Sequence, residues 1–109
     1  MRQYEIVFAP SASEDLDEIL NWLSREAPEK VPEWYAAIKA HIETLSHLPE
    51  RCPYAPENGF WGKDELRQSL FQDYPSKCRI IFAVNHNRVQ ILNIRHGARR
   101  YLHEEENEL

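Results

Sequence analysis

The three glycines in 109 residues, Gly59, Gly62 and Gly97, are too scattered for a GxGxxG or P-loop phosphate cradle, and neither motif occurs. Neither HExxH nor GxSxG is present, which removes the common zinc-protease and serine-hydrolase arrangements. The two cysteines, Cys52 and Cys78, stand outside any CxxC. They read as reduced, structural thiols, with neither a disulfide framework nor a zinc site expected. His41 and His47 are six residues apart, which turns them to different faces of a helix, so they do not read as a metal pair. No metal or cofactor is expected. Apolar runs reach only five residues, as in Ile80–Val84, far short of the ~18 that suggest a membrane span. The opening MRQYEIVFAP is too short and too interrupted by Glu5 for a signal peptide. The expectation is a cytoplasmic protein with no membrane partner.

What is present is the composition of an ordinary globular domain. A chain of 109 residues makes one domain that buries roughly two-thirds of its surface on folding. The expected layout is a single domain over residues 1–103 and an acidic, frayed tail over 104–109. Charge is unevenly spread. Residues 1–65 hold six Lys/Arg against thirteen Asp/Glu, a net of −7. Residues 66–103 hold seven Lys/Arg and a single acid, Asp73, a net of +6; residues 104–109 add four glutamates. A basic stretch on an acidic body points to a localised polyanion or acidic-partner surface. The plain alternative is that these cations decorate solvated strand faces.

The chain reads as β-α-α-β-β-β. Gln3–Ala9 alternates Tyr4, Ile6 and Phe8 against Glu5, Val7 and Ala9, the period of a strand. Pro10 ends it. Ser11 and Glu14 have capping-box spacing, and a helix follows over about Ser11–Glu26 with Leu16, Ile19, Leu20 and Leu23 as its stripe. A second helix spans about Val31–Leu48, with Pro32 in its first turn and Pro49 after it. Residues Glu50–Lys63 read as a surface loop pinned by Tyr54, Phe60 or Trp61. Leu66–Phe71 is a further strand. Arg79–Val84 and Arg88–Arg95 form a hairpin around Asn85-His86-Asn87. In its first strand Ile80, Phe82 and Val84 point one way and Ile81 and Ala83 the other, as in a central strand. In its second, Val89 and Ile91 take one face and Leu92 and Ile94 the other. The expected fold is α+β: an antiparallel αα-hairpin on one face of a four-stranded, mostly antiparallel sheet, the first strand lying parallel to a later one.

One face of that sheet would stay uncovered, with Arg67, Arg79 and the Arg95–Arg100 group gathered on it. Such a cluster suits phosphate, because guanidiniums bind phosphate oxygens in pairs and stabilise charge growing on them. Metal-free RNA cleavage also needs a proton acceptor and donor. His96 is the best candidate, with an ordinary pKa near ~6.5. Lys77 and Tyr101 would assist.

The segments ELRQSLF at 65–71, CRIIFAV at 78–84 and ILNIRHGARR at 91–100 resemble the RelE/ParE superfamily, the toxins of type II toxin–antitoxin systems. The likeness covers nearly the whole chain, and Cys78 stands where the family often has tyrosine. It implies a growth-inhibiting toxin held inactive by a cognate antitoxin. The RelE-like branch cleaves mRNA on the ribosome through basic residues on its sheet. Arg79 matches one of them, Arg99 or Arg100 approximates another, and Arg67 lies on the strand that carries a third. Phe71 falls where a catalytic arginine is frequent, and His96 falls near a His-Tyr pair but is followed by Gly97. The ParE-like branch inhibits DNA gyrase without a nuclease site, and its last strand tends to end as His96-Gly97-Ala98-Arg99 does. The resemblance thus implies either an mRNA endonuclease, to which the basic cluster leans, or a gyrase inhibitor; a catalytically inactive antitoxin-binding module is the third reading. For the endonuclease the catalytic set is Arg79, His96, Arg99 and Arg67, and the substrate-binding set is Arg95, Arg100, Lys77 and Tyr101.

Overall fold

The computed structural model describes residues 3–58 and 65–96. Its elements follow the expected order. Strand β1 is Glu5–Phe8, helix α1 is Pro10–Glu26, helix α2 is Val31–Glu43, and strands β2, β3 and β4 are Leu66–Phe71, Cys78–Asn85 and Arg88–His96. The sheet runs β1-β4-β3-β2, with β1 parallel to β4 and the other pairs antiparallel. The parallel pair arises because β1 reaches the sheet through the helical hairpin, whereas β2, β3 and β4 form a meander.

The main core lies between the helices and one face of the sheet. Ile19 and Leu23 of α1, Trp34, Ile38 and Ile42 of α2, and Phe71, Ile80, Phe82, Val89, Ile91 and Ile94 of the sheet are all buried there. Each such side chain stabilises the fold by about 1.5–3 kcal/mol through removal of apolar surface from water. Trp34 also donates its indole N–H to the Ser76 carbonyl at 3.0 Å, which ties α2 to the turn before β3.

Three local expectations fail, each for a visible reason. The capping box does not form. Pro10 starts α1 with its fixed φ, the N-cap is Ala9, and the Ser11 hydroxyl donates to the Leu92 carbonyl at 2.6 Å. Helix α2 ends at Glu43, five residues early. There the Thr44 and Ser46 hydroxyls take the carbonyls of His41 and Glu43, and the chain tightens into a 3₁₀ turn. The hairpin loop has two residues, with His86 in the left-handed region at φ 58°.

A fourth difference decides where the charges go. Strict alternation from Val89 and Ile91 would send Ile94 and His96 to the other face. Instead the pairing of β3 with β4 slips by one residue between Ile81 and Phe82. Ile81 faces Asn93 and Phe82 faces Ile91, which leaves Leu92 as the extra residue of a bulge. Helix α1 holds this bulge: Asp15 Oδ2 accepts the Ile94 N–H at 2.9 Å and the Asn93 side-chain amide at 3.1 Å. Beyond it Ile94 and His96 turn inward to the main core and Arg95 turns outward, so the expected opposition of Ile94 to Val89 and Ile91 is corrected.

Candidate functional site

The face turned away from the helices carries Leu66, Gln68 and Leu70 of β2, Arg79, Ile81 and Ala83 of β3, and Leu92 and Arg95 of β4. It is not bare. Residues 53–58 run along the outer edge of β2 and fold over it. Gln68 N–H donates to the Pro53 carbonyl, Ala55 N–H to the Leu66 carbonyl, and Leu66 N–H to Asn58 Oδ1. Ala55 is thereby buried with Leu66, Ile81 and Ala83, and Leu92 packs against them in a second, smaller core.

Arg79 and Arg95 are directly opposed across β3 and β4 and share this face. Two guanidiniums side by side repel unless an anion lies between them, and Glu57 supplies one. Arg79 donates one N–H to each Glu57 carboxylate oxygen, at 2.8 and 2.7 Å, and a further N–H to Gln68 Oε1 at 3.0 Å. The paired hydrogen bonds from Arg79 hold the Glu57 carboxyl below its ordinary pKa, against the opposing effect of burial, with a smaller contribution from the charge of Arg95. The same bonds raise the pKa of Arg79. Arg95 is exposed and forms no ion pair among the described residues. An open cleft of about 180 Å³ lies between Leu70, Lys77, Arg79 and Arg95. A second, of about 300 Å³, is floored by Leu66, Ile81 and Leu92 and rimmed by Ser11, Glu57, Asn93 and Arg95.

Arg67 and His96 do not join them, so among the described residues the expectation of a single basic hollow is corrected. Arg67 faces the opposite side of the sheet, because it pairs with Phe82 one residue out of phase with Leu66. There it donates to the carbonyls of Glu50 and Cys52 at 3.1 and 2.7 Å and stacks 4.4 Å from the Tyr54 ring. It braces the chain entering the loop, and Tyr54, the described one of the three expected pinning aromatics, lies against it. His96 also lies on the helix side, 5% exposed, as the bulge dictates. Its Nδ1 shares a 2.6 Å hydrogen bond with Ser76 Oγ, and the Trp22 ring meets its ring edge-on at 4.4 Å. Phe71 packs edge-on against Trp34 and His41 in the core. Arg99, Arg100 and Tyr101, the aromatics Phe60 and Trp61, and the tail 104–109 lie outside the described residues.

Sequence reasoning missed Glu57, Gln68 and Asp15. Glu57 sits among turn formers, and nothing local marks it as the partner of an arginine 22 residues later. Gln68 was legible only through register. Asp15 stands with Glu14, Asp17 and Glu18 near the start of α1, where acids suit the helix dipole and nothing local marks the one that reaches β4.

Chemically, the described open face presents guanidiniums suited to an anion, and two acid–base candidates, Glu57 and His96, are poorly placed for proton transfer there. A carboxylate that accepts two arginine hydrogen bonds is a weak base, and the imidazole of His96 is on the other face. His41 shares a 2.8 Å hydrogen bond with Ser69 Oγ on that other face, its pKa lowered first by burial and then by the charge of Arg51.

A family model described as the ParE toxin of the type II toxin–antitoxin system parDE matches residues 6–101. No curated protein matches the chain. Among solved structures, one described as the chromosomal ParDE TA system from P. aeruginosa superposes with a TM-score of 0.67 at 20% identity, over 86% of this chain and 96% of that one. At that identity the likeness speaks for the fold.

Proposed function

Because the chain belongs to the family of ParE toxins of type II toxin–antitoxin systems, we propose that it arrests growth by binding its target without cutting RNA. The target is DNA gyrase, and a cognate antitoxin holds the toxin inactive in the cytoplasm. One observation supports this reading against the mRNA endonuclease: Arg79, Arg67 and His96, the described members of the expected catalytic set, are held apart. Arg79 is clasped by Glu57, Arg67 is built into the opposite face, and His96 is buried beside Ser76 and Trp22. A metal-free ribonuclease needs a base, an acid and a charge stabiliser within reach of one phosphodiester.

The experiment is induction of the chain without its antitoxin. The expected result is an SOS response with intact transcripts, together with inhibition of purified gyrase in a supercoiling assay. Transcripts cut at ribosomal A-site codons, with toxicity relieved by Arg79→Ala, would overturn it for the endonuclease. Unimpaired growth would leave an inactive antitoxin-binding module.

A further inference from the structure

On the open face an exposed arginine stands at the rim of an apolar cleft. The cleft of about 300 Å³ is floored by Leu66, Ile81 and Leu92, which continue the small core beneath the 53–58 segment. That volume suits one or two apolar side chains, not a packed helix. Its rim is polar and asymmetric. Glu57 pairs directly with Arg79 and only feels the charge of Arg95, which forms no ion pair among the described residues; one carboxylate against two guanidiniums leaves the described rim net positive.

We propose that this cleft is a docking site for a short segment of a partner protein in which an apolar side chain adjoins an acidic one. The apolar side chain fills the space over Leu66, Ile81 and Leu92. The neighbouring carboxylate pairs with Arg95. Charge complementarity selects this occupant. A neutral apolar segment would leave Arg95 half covered and unpaired, and a basic one would meet it as a like charge. A nucleic-acid strand fits less well. A phosphate backbone needs successive free cations, and in this cleft, where Arg95 is the lining cation, the neighbouring Arg79 is neutralised by Glu57, the floor is aliphatic and the chain carries a net charge of −5. The site does not depend on gyrase being the target, so the two readings fail separately.

The test uses the full chain, made by cell-free synthesis with labelled Leu and Ile methyl groups and arginine side chains, and NMR titration. The probes are N-acetyl-Leu-Asp-amide, its Leu-Asn analogue, and a single-stranded uridylate hexamer. The acidic dipeptide is expected to move the methyl signals of Leu66, Ile81 and Leu92 saturably. It should bind roughly threefold to fivefold more tightly than the Asn analogue, as suits one exposed ion pair. Arg95→Gln, at an exposed position, should erase that difference while the rest of the spectrum keeps its folded pattern. Three results would each overturn the proposal: no saturable shift at those methyls, equal binding of the Asp and Asn probes, or the RNA hexamer moving the same signals at lower concentration than the dipeptide.

Discussion

Replacing His96 with alanine separates a structural imidazole from a catalytic one. The ring is 5% exposed, its Nδ1 is 2.6 Å from Ser76 Oγ, and Trp22 lies against it at 4.4 Å. Losing the hydrogen bond, with Ser76 still buried, costs about 1–1.5 kcal/mol. The edge-on ring contact is worth about 0.5–1 kcal/mol, and the cavity left by a mostly buried imidazole adds about 1–2 kcal/mol. The sum is a loss of about 2.5–4.5 kcal/mol. In a domain of this size that lowers Tm by roughly 10–20 °C. Urea unfolding followed by tryptophan fluorescence would measure it. The midpoint should fall while the slope stays constant, since the surface exposed on unfolding hardly changes. Toxicity should fall only as far as the folded population falls, and should recover at low temperature. A variant that keeps wild-type stability yet loses all toxicity would refute the structural role and return His96 to chemistry.

The Arg79–Glu57 clasp should show itself in the pH dependence of stability. The Glu57 pKa is lowered in the folded state, so its contribution is fully present above its unfolded value near 4.5 and is lost as pH falls through the folded value. Wild type should therefore lose about 1–2 kcal/mol more than Glu57→Gln between about pH 5 and pH 3 in urea titrations; parallel curves would contradict the clasp. Phe71→Arg, which installs the arginine frequent in the nuclease branch, should cost more than about 3 kcal/mol and yield no RNA cleavage, because the guanidinium would enter the core beside Trp34 and His41. Asp15→Ala removes the acceptor of the Ile94 N–H and the Asn93 amide and should cost about 1.5–3 kcal/mol, with the largest amide-shift changes at Leu92–Ile94. Burial pushes the Cys78 thiol up to about 11, so maleimide should label it at pH 7.5 only at the rate of unfolding, and rapid labelling of the native protein would contradict that.

Much of the fold was legible because it rests on local periodicity. The alternation of Ile80, Phe82 and Val84 against Ile81 and Ala83 already specifies a strand buried on both sides. The Leu16, Ile19, Leu20 and Leu23 stripe specifies a helix with one covered face. Pro10 and Pro28 stand at element boundaries, because a proline ring is local chemistry, whereas α2 stops short of Pro49. The family resemblance was legible in the same segments.

The charges were not legible, because a side chain's face depends on register, and register is a property of two strands. A single extra residue at Leu92 turns His96 inward and Arg95 outward, and the groups that hold the bulge, Asp15 and Ser11, lie about eighty residues away in the chain. Glu57 meets Arg79 only because the 53–58 segment folds over the sheet. The amino-acid order by itself determined the elements, their sequence along the chain and the stock of cations. Only the tertiary structure decided which cations meet, which carry a carboxylate and which are buried, because long-range pairing sets the phase of each strand and an ion pair depends on where its two members meet.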